Sequence, residues 1–276
     1  NARNFAGLNF DDAQVRQALQ SLQMQVTDTA EGWQVTPPSW RFDIAIEPDL
    51  IEEVVRVIGL DHVSETPARL PQRFGRRPES QIDERVLLDT LVARGYHEAI
   101  SYAFCDPQVQ QQLLPGTQAL QLANPIAANL AVMRLSLWPG LVQAALDNQR
   151  RQQDRVRLFE LGSVFLREED QVREPRRVAG IALGWRLPER WAQRADPVDF
   201  HDVKGDVEAI LNLSNTAQDF VFEAGSLPCL HPGRSASIHR GGQCIGHIGH
   251  LHPQLADTLG FVGEPVLFEL DLIAAT

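Results

Sequence analysis

The chain has 276 residues, with 36 acidic against 25 basic side chains and a formal net charge of -11. At ~100–200 residues per domain, that length fits about two domains. The 43% apolar and 22% charged fractions exclude a disordered or fibrous chain, and the acidity excludes a globally basic nucleic-acid-binding surface. Of the 25 basic residues 24 are arginine, Lys204 being the only lysine. Arginine's planar fork suits bidentate contacts with carboxylate or phosphate, so local basic patches are compatible with the acidic average.

Taken in chain order, residues 10–24 open with acids and then space Val15, Ala18, Leu19 and Leu22 as an amphipathic helix. Trp33 to Asp43 reads as a short strand broken by the Pro37-Pro38 turn. A second helix is expected over Asp49 to Ile58, with Pro48 in its first turn and Gly59 ending it. The Pro-, Gly- and Arg-rich stretch 64–80 has no apolar period and reads as a linker. Beyond it, Gln81 to Arg94 is an amphipathic helix stopped by Gly95, and further helices are expected over 137–152 and 204–213. Strands are expected at 155–165, 177–184, 236–240, 243–250 and 265–272. Neighbouring strands in runs favour an α+β domain with a largely antiparallel sheet. Two domains follow, 1–72 and 73–276, with net charges of -6 and -5. The lack of an initiator Met and an end on the apolar Phe268–Ile273 segment suggest a piece of a longer chain.

Four carboxylates carry the sharpest local chemistry: Asp43, Asp49, Glu52 and Glu53. On a helix starting at Asp49, turning ~100° per residue, Glu52 and Glu53 share a face with Asp49. Leu50, Ile51, Val54, Val57 and Ile58 centre on the opposite, buried face. Asp43, six residues earlier on extended chain, is in reach of them. Grouped oxygens suit Mg²⁺. The same spacing suits a helix N-cap at Asp49 with Glu52 as its reciprocal partner, and Arg56 follows Glu52 and Glu53 at ion-pair spacing. Both readings stand on the residues alone.

Other candidates are weaker. Cys105, Cys229 and Cys244 lie too far apart for a C-x-x-C site, as in a reduced, intracellular protein. No run approaches the ~20 apolar residues of a membrane span. On one continuous strand, His250 and His252 would share a face and His247 the other, which is poor geometry for zinc. The arginine clusters at 73/76/77, 150/151/155/157 and 173/176/177 read as solvated faces or phosphate sites. Neither a G-x-x-x-x-G-K-[ST] nor a G-x-G-x-x-G phosphate loop occurs.

Several strings, in order, resemble the β subunit of bacterial phenylalanyl-tRNA synthetase. They are Val35-Thr-Pro-Pro-Ser-Trp-Arg-Phe-Asp43, Asp49-Leu-Ile-Glu-Glu-Val-Val-Arg-Val-Ile-Gly59, Asn124-Pro-Ile126 with Met133-Arg-Leu-Ser-Leu-Trp-Pro-Gly-Leu141, Arg157-Leu-Phe-Glu-Leu-Gly162, Asp202-Val-Lys-Gly-Asp206 and His231-Pro-Gly-Arg-Ser-Ala236. The resemblance implies a small, winged-helix-like, DNA-binding-like domain at 1–72. It implies a non-catalytic core similar to a class II aminoacyl-tRNA synthetase at 73–276. It further implies a cytoplasmic (αβ)₂ heterotetramer that charges tRNA with phenylalanine, using ATP bound on the α subunit. By similarity, Asp43, Asp49, Glu52 and Glu53 match the family's Mg²⁺ ligands. Arg157 to Glu160 resembles the arginine-bearing strand that holds ATP in a catalytic core, with an extra spacer residue, and its glycine-rich arginine partner has no counterpart here. The fragment is therefore expected to be inactive alone and to scaffold the α subunit; a stand-alone nucleic-acid-binding module is the alternative.

Overall fold

The computed structural model describes residues 10–63, 70, 82–168, 171–188, 190–191 and 196–275. The Arg73/Arg76/Arg77 cluster and nearly all of the expected linker lie outside the described residues. The chain separates into two compact units, 1–75 and 76–276.

In the first unit, α1 (Asp12–Ser21) starts at a reciprocal cap: Asp11 Oδ1 accepts from the Gln14 amide at 2.7 Å, and Gln14 Oε1 accepts from the Asp11 amide at 3.1 Å. A hairpin follows, β1 (Gln25–Thr29) against β2 (Gly32–Thr36). Then comes α2 (Glu47–Ile58), which Gly59 ends with a φ of 114°. Apolar stripes of the two helices meet in a small core of Phe10, Ala18, Leu19, Met24, Ile51 and Val54. Val57, expected on the buried face, is 41% exposed. At ~100° per residue it lies at the edge of the stripe centred on Ile51 and Val54, and the helix itself begins two residues before Asp49.

The second unit is built on one seven-stranded sheet. Its helices are α3 (Glu84–Ala93), α4 (Pro107–Leu113), α5 (Trp138–Arg150), α6 (Phe200–Leu211), α7 (Pro253–Leu259) and α8 (Leu272–Ala275). Its strands are β3 (His97–Glu98), β4 (Phe104–Cys105), β5 (Val132–Met133), β6 (Arg155–Ser163), β7 (Leu166–Glu168), β8 (Gln171–Arg173), β9 (Arg176–Gly184), β10 (Phe220–Ala224), β11 (Leu230–Arg240), β12 (Gln243–Leu251) and β13 (Val266–Asp271). The order across the sheet is β10-β11-β12-β13-β9-β6-β3, antiparallel throughout except for β3 beside β6. This is an α+β architecture, as expected.

Alternation assigns the two faces. On β9, Val178 and Ala182 join Phe159, Phe268, Val203, Val207 and Ile210 under α3 and α6. Ala179, Ile181 and Leu183 face the other way, with Val156, Leu267, Trp138, Leu141 and Val142 under α5. Burying each such aliphatic or aromatic side chain is worth about 1.5–3 kcal/mol. The Trp138 indole is 2% exposed, and its Nε1 donates to the Phe268 carbonyl at 3.0 Å, so its one polar atom is satisfied. Gly241 and Gly242, at φ 57° and 81°, make the turn between β11 and β12. Gly180 has no Cβ because the Phe268 ring occupies that space.

Candidate functional site

The acidic segment of the first unit is organised around arginine. Arg41, on the loop after β2, donates to both Asp43 oxygens, its Nη2 reaching Oδ2 at 2.8 Å, and to Glu53 Oε1 at 2.9 Å. Arg56, one turn along α2, donates to Glu53 Oε2 at 2.6 Å. Glu53 is 8% exposed. Arg41 first, then Arg56, holds its carboxyl down at about 2, and Arg41 likewise holds Asp43 below the usual carboxylate range. Asp49 is not the residue that precedes the helix. It sits in the first turn, and its Oδ2 accepts from the amides of Ala45 at 2.8 Å and Ile46 at 2.9 Å, which lowers its carboxyl. It therefore fills the reciprocal half of a capping box, with the main-chain turn at Ile46 where a capping side chain would stand. Glu52 is exposed.

Mg²⁺ is usually held by one or two carboxylates plus waters. The Asp43–Glu53 pair fits that pattern in kind, because two carboxylates from different segments already meet on one cation, the Arg41 guanidinium. Among the described residues, no three His, Cys, Asp or Glu side chains come together as a ready metal-holding group. Asp49 keeps Oδ1 outside the hydrogen bonds that cap the helix.

In the second unit, three buried carboxylates hold arginines. Asp206, 4% exposed on α6, accepts from Arg94 Nε at 2.6 Å, the Tyr96 hydroxyl at 2.9 Å and Arg157 Nη1 at 2.7 Å. The Arg157 guanidinium also lies 5.3 Å over the Tyr96 ring. Burial and the Asp206 charge both push the Tyr96 hydroxyl's pKa upward. Glu160, on the opposite face of β6, takes Arg134 at 2.5 Å and Ser101 at 2.7 Å. Glu269 on β13 takes Arg177 at 2.6 Å, the Ser136 hydroxyl at 2.9 Å and the Leu137 amide at 2.8 Å.

Several arginines of the patches expected from the sequence are paired with carboxylates, mostly at the solvated surface. Arg173 pairs with Glu168, Arg176 with Glu84, Arg177 with Glu269 and Arg150 with Asp147. The histidines separate as well. His247 and His250 lie on opposite faces of β12, and His252 is off the strand, at the start of α7. Asp206, Glu160 and Glu269 were absent from the sequence candidates. One available signal is that Asp206 interrupts the apolar stripe of Val203, Val207 and Ile210, where an acid survives only if paired.

Comparison with known proteins adds the family. Residues 63–272 match the phenylalanyl tRNA synthetase beta chain CLM domain, and residues 1–60 match the tRNA synthetase B5 domain. The chain is 48% identical over 270 residues to the phenylalanine–tRNA ligase beta subunit of Pseudomonas putida, covering 96% of this chain and 34% of that protein. It is 44% identical over 262 residues to the same subunit of Dickeya dadantii, covering 94% and 33%. With Vibrio vulnificus the identity is 44% over 271 residues, covering 97% and 34%. The chain thus spans about a third of the length of the curated relatives it matches. Matched along both of its units and nearly half identical to one such subunit, the chain belongs to the phenylalanyl-tRNA synthetase beta-chain family.

Proposed function

We propose that this chain is the part of the β subunit that scaffolds a catalytic α subunit in the ATP-dependent charging of tRNA with phenylalanine. The assembly would be a cytoplasmic (αβ)₂ tetramer, with ATP bound on α. In this reading residues 1–72 form a winged-helix-like, metal-binding domain and 73–276 a non-catalytic core of the class II synthetase type. The carrying observation is the environment of Arg157. Its Nη1 is paired with Asp206 at 2.7 Å and the side chain is 6% exposed. A cation that must stabilise a phosphoryl group has to face the substrate with its charge uncancelled. Arg157 instead faces the core. Supporting the scaffold role, Ile100, Tyr102 and Ile126 are 90%, 65% and 80% exposed, apolar area that a partner subunit would cover. The alternative, a stand-alone nucleic-acid module, fits less well because Arg134 and Arg157 are buried against acids.

Titrating labelled α subunit into the chain, followed by sedimentation, tests the reading. A stable complex with no pyrophosphate exchange by the isolated chain is expected; failure to bind α at micromolar concentrations refutes it.

For Mg²⁺, we propose that Asp43, Asp49, Glu52 and Glu53 supply the ligands, with the Arg41 guanidinium leaving as the ion arrives. The two cations compete for the same carboxylates. Arg41→Gln should therefore tighten Mg²⁺ binding measured by calorimetry, and Asp43→Ala should weaken it. Equal affinity in all three proteins counts against the site.

A further inference from the structure

Where β9 and β12 run out and β11 and β13 are near their starts, a cavity of about 1400 Å³ opens in the second unit. Small-molecule pockets measure ~300–1,000 Å³. This one is large enough for a length of polypeptide. One wall is fixed from both sides: the Gln149 amide donates to the Val262 carbonyl at 2.7 Å and accepts from the Val262 amide at 3.0 Å. Trp185, 38% exposed, and Phe200 give the cavity aromatic surface.

Charge narrows the occupant. Among the described residues, Asp154, Asp199 and Glu264 line the cavity against one guanidinium, Arg234. Glu264 already holds Arg234 in a two-pronged pair at 2.6 and 3.2 Å. The excess is negative and disfavours any phosphate-bearing ligand. A carboxylate offers about four lone-pair positions, and Arg234 uses two, so Glu264 retains capacity for a second cation. Its side chain is 59% exposed, within reach of one. Beside it, His250 is 3% exposed and its Nδ1 has no hydrogen-bond partner, Glu264 Oε2 standing 3.7 Å away. Buried polar atoms are rarely left so. Burial, followed by the Arg234 charge, holds the His250 imidazole below its ordinary pKa, so it adds no positive charge at neutral pH.

We propose that this cavity docks a basic polypeptide segment of a partner protein. Its Lys or Arg heads pair with Glu264, Asp199 and Asp154, and their stems lie along Trp185 and Phe200. The site is separate in sequence from the acidic segment at 43–53, and it does not depend on the synthetase reading.

The test is fluorescence anisotropy with the whole chain and a fluorescein-labelled octapeptide alternating Arg and Leu, beside its Glu/Leu counterpart. Saturable, salt-sensitive binding of the basic peptide alone is expected. The double variant Asp154→Asn, Glu264→Gln should weaken it roughly tenfold or more. If that variant loses its native circular dichroism, Trp185→Ala, a change at a partly exposed side chain, takes its place and must weaken binding too. Equal binding of the acidic peptide, unchanged binding by the folded variant, or full displacement by spermidine at matched charge overturns the proposal.

Discussion

Asp206 gathers three side chains at one buried carboxylate of the second unit. It accepts from Arg94 and Tyr96, in the turn between α3 and β3, and from Arg157 on β6. Consider Asp206→Ala. Arg94, 38% exposed, can turn to water, but Arg157, 6% exposed, cannot. Its guanidinium keeps one hydrogen bond, Nη2 to the Arg186 carbonyl at 3.3 Å, beside the Tyr96 ring, and its Nε already lacks a partner. Breaking a buried pair by removing one partner costs about 3–5 kcal/mol, because the remaining charge stays desolvated. For a unit of this size each kcal/mol shifts the melting point by roughly 2–4 °C, so a fall of about 6–20 °C is expected.

Differential scanning calorimetry on the whole chain reads this directly, since the larger unit should move while the transition of 1–75 stays in place. Asp206→Leu combined with Arg157→Leu removes both charges at similar volume and should recover most of the loss. A loss below about 1 kcal/mol for Asp206→Ala, or a double variant no better than the single, would refute the reasoning.

Three further outcomes are expected. Gly184 holds a φ of 83°, and a Cβ there would overlap the Asp154 carbonyl oxygen; Gly184→Ala should cost about 2–5 kcal/mol from strain plus overlap, read by urea denaturation. Glu53 has its carboxyl held at about 2 by Arg41 and Arg56. A carboxylate depressed on folding contributes stability above its unfolded pKa of about 4.3 and loses it as pH falls toward 2. The first unit's melting point should drop across that window, and Glu53→Gln should flatten the slope; an unchanged slope contradicts the ion-pair account. Burial pushes the Cys105 and Cys229 thiols up to about 12, whereas Cys244 is exposed. Ellman's reagent should therefore titrate one thiol in the native chain and all three after denaturation.

What was legible in the sequence follows from periodicity. The helices at 12–21 and 84–93 and the strands at 155–163 and 176–184 carry clean apolar patterns and lie within a few residues of their expected ends. Other elements were missed because their order comes from tertiary contact. β3 is two residues long and exists through its pairing with Leu158 and Phe159. β10 is an edge strand with a mixed pattern, set by its register on β11. α6 begins four residues before its expected start, because Asp199 and Asp202 cap it reciprocally, a signal hidden beneath the polar stretch 199–202. The acidic segment was legible as residue types but not as partners. No spacing rule announces that Arg41, two residues before Asp43 and twelve before Glu53, folds onto both.

The excess acid and the arginine-dominated basic set meet in one physical pattern at the core. Lysine's compact, strongly hydrated ammonium suits a solvated surface, whereas the guanidinium fork gives up water more readily and satisfies two acceptors at once. Here the forks point inward: Arg134, Arg157 and Arg177 each engage an acid that is itself nearly sealed off, Glu160, Asp206 and Glu269. Those acids sit on β6, α6 and β13, covering both faces of the central sheet, so the pairs tie its middle strands to the segments packed on either side. A charge pair buried in a protein interior tolerates little rearrangement, since separating it leaves both groups desolvated. An arginine held in this way serves poorly as a phosphate clamp, which must exchange partners at every turnover. It serves well as a fixed strut that holds the surface above it in one shape.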